Sequence, residues 1–267
     1  PNLVNSRRFI TPFGQFQFCR MPFGLSNAGA CYSRLVALAL QSLPSQYVLA
    51  YLDDIIVFTR TPEEHLQELR KVLDLHRRFG MKLKLEKCKV FRQEVEYLGH
   101  SVSAEGIKMV SSYVDKILQW PLPKTGKQLK QFLGFIGYYR SFIPDVADLT
   151  FEMNNMKKDA TVSWDERTLE KFQMLKNRFN ERPLRSYPQY EGGGTFILDT
   201  DFSSTNMAAI LSQVQEGEEK FIGAGARKCN RAEQNYPSHK GELAAAIMGM
   251  RKFEHILRYK PFVLRTD

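Results

Sequence analysis

Phe16 and Phe18 alternate with polar neighbours after the Pro12-Phe13-Gly14 turn, the period of a half-buried strand or hairpin arm over residues 12–20. Met21–Leu25 reads as a loop, and Ser26 or Asn27 can cap a helix over about 28–42 with Tyr32, Leu35, Val36, Ala39 and Leu40 at helical spacing. Two apolar runs, 48–50 and 55–58, flank Tyr51-Leu52-Asp53-Asp54 and predict a hairpin with the acids at its turn. Thr61-Pro62-Glu63-Glu64 carries a cap, a proline at the first helical position and a glutamate three residues after the cap. Leu66, Leu69, Val72, Leu73, His76 and Phe79 then form one stripe that Gly80 ends, with His76 read as a core or rim histidine rather than a ligand. Residues 81–85 alternate as a strand, 94–102 form another strand region, and Gly106 closes a turn. This first part is α+β, with helices on one face of an antiparallel sheet.

From about residue 110 the pattern turns helical. Val114, Ile117 and Leu118 mark one short helix, ended by Pro121 and Pro123. Leu129, Phe132, Leu133, Ile136 and Tyr139 mark a second, ended near Pro144, and Leu169, Phe172, Leu175 and Phe179 a third over about 165–181. Three glycines, Gly192 to Gly194, interrupt any regular element. Strands are expected again over 196–201, 207–214 and 221–226. A helix opened by Pro237-Ser238 follows to about Leu257, with Leu243, Ile247, Met250 and Phe253 on one face, and then a strand at 262–264. The expected division is 1–108, 109–190 and 191–267, the last an α/β unit.

Composition adds a partner class. The chain has 267 residues, 43% hydrophobic and 25% charged, and a net charge of +9, which favours a polyanion. Asp53 is the first acidic residue; the charges before it are Arg7, Arg8, Arg20 and Arg34. A basic arm ahead of paired carboxylates suits a channel that holds a phosphate backbone. Lys124, Lys127, Lys130 and Arg140 give the second helix a basic side, and Tyr138 and Tyr139 are expected to be exposed there, as a nucleic-acid grip or as a solvated polar face. The four cysteines are dispersed, which indicates neither a zinc site nor a disulfide framework and makes a reducing compartment the default. No apolar run approaches the ~20 residues of a membrane span, so no membrane partner is expected. A start without Met, lacking the plan of a signal peptide, reads as a processed piece or fragment.

The Asp53–Asp54 pair carries the chemistry. Adjacent like charges beside apolar strands are relieved by a cation, and hairpin oxygens suit Mg²⁺, which keeps several waters and also binds substrate phosphates. A solvated turn fits the same two residues.

The ordered path Pro12–Gly14, Arg20–Ala28, Tyr51–Asp54, Gly80–Cys88 and Tyr97–His100 resembles the reverse transcriptase of gypsy-like (metavirid) long-terminal-repeat retrotransposons. Thr200–Ser203, Leu211–Gln213, Asn235–Pro237, Glu242-Leu243 and Thr266-Asp267 resemble the ribonuclease H domain that follows in such polyproteins. The resemblance implies a palm, a helical thumb and connection, and an α/β ribonuclease H-like domain. It implies RNA-directed DNA polymerisation and hydrolysis of RNA in a hybrid, each with two Mg²⁺ or Mn²⁺ ions held by carboxylates.

Asp53 and Asp54 match two of the family's three polymerase acids, with Asp53 the more direct ligand. Pro22, Phe23 and Gly24 match the nucleotide and template pocket, Lys87 a lysine near the leaving phosphates, and Tyr97, Leu98, Gly99 and His100 the hairpin that grips the primer. Asp201, Glu242 and Asp267 match three ribonuclease H carboxylates; spacing alone leaves Asp199 and Asp201 on one strand face, and the resemblance selects Asp201. The implied partners are an RNA template, a DNA primer, the RNA–DNA hybrid and dNTPs, with Arg20, Lys124, Lys127 and Lys130 on the phosphates. The implied setting is intracellular, in a cytoplasmic virus-like particle or the nucleus. Two departures stand out: Gly29 replaces a usual proline, and residues 1–52 hold no acid to serve as the early-motif aspartate, so the isolated chain is expected to be inactive. The rival reading is a non-catalytic, host-co-opted nucleic-acid-binding remnant.

Overall fold

The computed structural model describes residues 8–266 apart from Arg20, Phe23, Ser42, Ser45 and Arg182. The sequence-selected Arg20, Phe23 and Asp267 therefore lie outside the described residues. The chain divides into two compact units, 1–92 and 93–267.

In the first unit β1 (Arg8–Thr11) and β2 (Gly14–Gln17) form a hairpin, followed by α1 (Ala28–Leu40), a second hairpin of β3 (Val48–Tyr51) and β4 (Asp54–Val57), and α2 (Pro62–Arg78). Among the described residues each hairpin is a separate two-stranded sheet, rather than part of the single sheet the pattern suggested. The 12–20 arm is exposed, not half-buried: Phe9 stacks on Phe16 with ring centres 5.8 Å apart, and Phe16 and Phe18 stay open to solvent. A small core of Val36, Ala39, Val48, Val72 and Leu75 joins the helices to the second hairpin.

Helix α2 starts as its sequence dictates. Thr61 Oγ1 accepts from Glu64 N at 3.2 Å, and Glu64 Oε2 accepts from Arg60 N at 3.2 Å. Its buried face is turned from the expected stripe, to Glu68, Val72, Leu75 and His76, while Leu66, Leu73 and Phe79 are exposed. His76 is a core histidine; its Nδ1 lies 2.8 Å from Val72 O. Residues 81–84 form no strand, because alternation without a neighbouring ladder leaves backbone groups unpaired; a short 3₁₀ turn, Leu85–Lys87, follows.

The second unit opens with an antiparallel meander of β5 (Glu94–Tyr97), β6 (His100–Ser103) and β7 (Gly106–Met109). Four helices follow: α3 (Ser111–Leu118), α4 (Gly126–Tyr138), α5 (Val146–Asn155) and α6 (Glu166–Asn180). They share a core that includes Val114, Ile117, Leu129, Phe132, Phe142, Met153, Leu175 and Phe179. Then come β8 (Phe196–Phe202), β9 (Asn206–Gln215), β10 (Glu218–Lys228), α7 (Ser238–Lys252), α8 (Glu254–Leu257) and β11 (Phe262–Arg265). Their sheet has the order β10-β9-β8-β11, with β11 parallel to β8 and the other pairs antiparallel.

Helix α7 approaches this sheet through Gly241, Ala245, Ala246 and Gly249, not through the expected Leu243 and Ile247, which are exposed. Small residues let the backbones close up: a Cβ on Gly249 would stand 2.9 Å from the Ala209 Cβ. Arg185 ties the helices to the sheet within this unit. Its backbone exchanges two hydrogen bonds with Ile107, and its guanidinium donates to Ile222 O at 2.9 Å and Ser141 Oγ at 3.1 Å.

Candidate functional site

The register Tyr51↔Asp54 leaves Leu52-Asp53 as a two-residue turn, so the second hairpin presents adjacent carboxylates at its tip. Leu52 takes a left-handed φ of 50°, a costly conformation for a bulky residue and one that clusters at functional sites. Tyr51, Asp53 and Asp54 are all exposed, whereas Val48, at the other end of the hairpin, is buried. The apolar end anchors and the acidic end projects. In the loop before α1, Pro22 is half-buried and Gly24 is exposed with φ 88° and open space around it. Lys87 is exposed in the 3₁₀ turn.

Of the second set of carboxylates, Asp201 stands near the carboxyl end of β8, which pairs in parallel with β11, and ligands of α/β sheets commonly bind at such ends. Phe196, Leu198 and Thr200 face the α7 side, so Asp199 and Asp201 share the opposite face, as period two requires. The structure then separates them. Arg265, opposite Asp199 in the register, donates from Nη2 to Asp199 Oδ2 at 2.8 Å and also to Glu219 Oε1 at 2.8 Å. These bonds hold Asp199 in a structural ion pair and leave Asp201 exposed at the strand end. Glu242 sits in the second turn of α7, and its Oε2 accepts from Thr266 Oγ1 at 3.1 Å. Gly241 places it: a Cβ there would lie 2.1 Å from the Phe202 ring, so only glycine lets the helix start seat on β8. Neither Gly241 nor Arg265 was singled out from sequence, because each acts through a contact distant in the chain.

The approach to α7 is fixed by Glu233, whose carboxylate takes two bonds from Arg227, at 2.7 and 2.8 Å, and one from Asn230 N at 2.8 Å. The Arg227 hydrogen bonds, then the Asn230 amide, hold the Glu233 carboxyl at about 2, well below the usual range.

The Tyr97–His100 motif forms the β5–β6 turn, with left-handed φ at both Leu98 (48°) and Gly99 (72°). Tyr138 and Tyr139 point to this turn. Tyr139, expected at the surface, is 1% exposed in the aromatic core, and its hydroxyl donates to Gly99 O at 2.7 Å. Burial, reinforced by Tyr113 and Tyr138, pushes its phenol further up. Tyr138 is exposed and donates to Leu98 O at 2.5 Å. His100 lies among Tyr138, Tyr139 and Phe142, and burial depresses its pKa despite a hydrogen bond to Leu98 O.

Lys124, Lys127 and Lys130 are exposed at the start of α4. On the same face Gly134 and Gly137 are exposed, with nothing within 4 Å of where a Cβ would stand. The result is a helix face that is basic at one end, open at Gly134 and Gly137, and closed by Tyr138.

A metal requirement can be tested against these donors. Among the described residues no three His, Cys, Asp or Glu side chains converge as a metal-binding group. Two neighbouring carboxylates at a hairpin tip do fit a divalent ion that retains water and leans on substrate phosphates.

The chain thus joins an acidic two-strand hairpin in an α+β unit to a helical region and a mixed sheet that carries an exposed acid near a strand end. Residues 3–102 match the family described as reverse transcriptase (RNA-dependent DNA polymerase), and residues 164–264 match the RNase H-like domain found in reverse transcriptase. The Drosophila melanogaster "Retrovirus-related Pol polyprotein from transposon 297" is 34% identical over 267 residues, 99% of this chain and 25% of that protein. The Schizosaccharomyces pombe "Transposon Tf2-3 polyprotein" is 29% identical over 263 residues, 97% of this chain and 20% of that protein. This chain thus spans a quarter or less of the length of these curated relatives. It belongs to the reverse transcriptase and ribonuclease H region of LTR-retrotransposon Pol polyproteins. The fold agrees: the foamy viral protease-reverse transcriptase matches with TM-score 0.80 in complex with RNA/DNA hybrid and 0.83 in complex with dsDNA. Both are 21% identical in sequence; the match covers 97% and 98% of this chain, and 35% and 55% of theirs.

Proposed function

We propose that this chain carries the Tyr51–Asp54 hairpin of an RNA-directed DNA polymerase and the Asp201–Glu242 portion of a hybrid-cleaving ribonuclease H. The observation that carries the polymerase reading is the Leu52-Asp53 turn, which sets two adjacent carboxylates at the tip of an apolar hairpin. Asp53 and Asp54 are assigned to hold Mg²⁺ or Mn²⁺, as are Asp201, Glu242 and Asp267 in the second unit. Bound there, such ions supply charge neutralisation at attacking and leaving oxygens. The chain's own residues do the rest of the positioning. Pro22, Phe23 and Gly24 line the nucleotide and template side, Lys87 offers a cation to leaving phosphates, and Tyr97–His100 hold the primer end.

Arg20 and the exposed Lys124, Lys127 and Lys130 are assigned to the phosphates of a primer–template duplex or RNA–DNA hybrid, with dNTPs as the polymerase substrate. The functional partition we assign, 1–108, 109–190 and 191–267, places its first boundary beyond the break between compact units, and the setting we assign is intracellular, in a cytoplasmic virus-like particle or the nucleus.

The test is primer extension and hybrid cleavage with Mg²⁺ or Mn²⁺, on this chain and on one extended along the polyprotein in both directions. Activity is expected only in the extended form, because residues 1–52 supply no carboxylate to share two ions. It should vanish in Asp54→Asn. Extension that survives both Asp53→Asn and Asp54→Asn would refute the polymerase assignment. It would leave the second reading, a non-catalytic nucleic-acid-binding chain, which the exposed lysines of α4 favour.

A further inference from the structure

The Leu98-Gly99 turn is held from outside its own hairpin. Two-residue turns with positive φ at both positions suit hairpin twist, yet they favour Asn or Gly at the first position, and here that residue is leucine. Leucine in this region is disfavoured unless its surroundings fix it. Successive carbonyls of the turn accept from successive side chains 40 residues later: Leu98 O from Tyr138 at 2.5 Å, and Gly99 O from Tyr139 at 2.7 Å. His100 Nδ1, 2.9 Å from Leu98 O, gives that oxygen a second donor. Gly99 is enclosed as well: a Cβ would meet Tyr113 and the Tyr139 hydroxyl at 3.3 Å and Tyr138 at 3.5 Å. A larger residue would have to push these rings aside, and the φ of 72° would strain it independently.

The two tyrosines differ in a way that core packing does not account for. Tyr139 is part of the core, against Phe135 and Phe142. Tyr138 is 55% exposed, and its hydroxyl is nonetheless spent on the turn rather than on solvent. A trans peptide is planar, so anchoring the carbonyls of Leu98 and Gly99 also orients the amides of Gly99 and His100. We infer that Tyr138 and Tyr139 are positioning residues that fix the Leu98-Gly99 turn, and through it the place of a primer end, from the end of α4. The same helix carries Lys127 and Lys130, so the element that meets the phosphates also sets the turn. The bearing on polymerisation rests on the primer-grip reading of Tyr97–His100.

The experiment uses Tyr138→Phe, Tyr139→Phe and the double variant in the extended, extension-competent polymerase, since phenylalanine keeps each ring and removes the donor. Tyr113→Phe, which removes a hydroxyl beside the turn but not on it, is the control. The expected result is a fall of at least fivefold in single-turnover primer extension and in primer–template affinity, with the dNTP KM unchanged, and parental behaviour in the control. In the 267-residue chain the Leu98 and Gly99 carbonyl ¹³C resonances should move in the Phe variants and stay in Tyr113→Phe. Where Tyr139→Phe fails to fold, Tyr138→Phe, with its exposed ring, carries the test alone. Gly99→Ala separates the two readings. If it leaves extension unchanged, the primer-grip reading falls. If it abolishes extension while the Phe variants match the parent, with unmoved carbonyl resonances, the positioning role is overturned.

Discussion

Gly134 and Gly137 allow stability and binding to be driven in opposite directions. Both lie in α4 on one face with Lys127, Lys130 and Tyr138, and a Cβ at either position meets nothing within 4 Å. Neither has a left-handed φ. For folding alone the glycines are a cost: alanine gains about 1 kcal/mol in a helix interior, and the gain at Gly137, in the last turn, is roughly half of that. Gly134→Ala/Gly137→Ala should therefore stabilise the chain by about 1.5 kcal/mol, or roughly 3–6 °C in Tm for a unit of this size. If the open face is where a duplex backbone comes close, two methyls hold it off, and the same variant should bind primer–template about tenfold more weakly, about 1.4 kcal/mol. The measurements are a thermal melt and fluorescence anisotropy with a labelled duplex from 50 to 200 mM salt. The parent's log–log slope should be several units, and Lys127→Ala or Lys130→Ala should each lower it by about one. A variant that melts higher and binds as tightly as the parent refutes the approach of nucleic acid to this face. One that melts lower refutes the open geometry.

Arg185→Met leaves Ile222 O and Ser141 Oγ without their charged donor, so it should cost about 2–4 kcal/mol, read as lost amide-exchange protection at Ile107 and along β10; unchanged protection would show that the guanidinium does not join helices to sheet. Gly241→Ala drives a methyl into the Phe202 ring and should cost about 1–3 kcal/mol; it should also reduce hybrid cleavage in the extended protein while sparing primer extension, and equal loss of both would point to general misfolding. Glu233 has a folded pKa of about 2 against an ordinary 4.5, so its contribution is complete above pH 4.5 and drains as pH falls through 2. The Tm gap between parent and Glu233→Gln should be constant from pH 5 to 7 and close below pH 4, and a gap independent of pH would remove the Arg227 pair from the account.

The fold was legible where a local rule sufficed. Thr61-Pro62-Glu63-Glu64 caps its helix as a capping sequence should, and the strand runs at 196–201 and 207–214 fall within β8 and β9. It was illegible where tertiary contact chose among faces. In α2 the pattern points to Leu66, Leu73 and Phe79, yet the helix turns Glu68 and Leu75 inward, with Lys71 bonded to the Glu68 carboxylate at 2.6 Å. Helix α5 went unread because Thr150 sits between Leu149 and Met153 and no side chain caps its start; Thr150 bonds instead to Val146 O one turn back, at 2.7 Å.

The candidate site divides along the same line. Asp53 and Asp54 stand out locally as two adjacent acids between apolar runs, but that pattern alone also fits a solvated turn, and the ordered motifs from Pro12 to His100 are what single them out. Asp199 and Asp201 could not be told apart by spacing, since strand period gives both the same face; the distinction is made by Arg265, 66 residues from Asp199. Glu242 depends on Gly241, and hydrophobicity reads that seam backwards, because where two backbones must approach, the residue with the least surface is the one that is buried. The sequence pattern exposes Tyr138 and Tyr139 alike, whereas the structure exposes Tyr138 and buries Tyr139, and commits both hydroxyls to the carbonyls of a turn 40 residues earlier. In each case what sequence missed is a positioning residue, whose work is defined by what it holds rather than by its own chemistry. The acids stand out by their own charge, whereas the glycines, Arg265 and the tyrosines act only through what they hold in place.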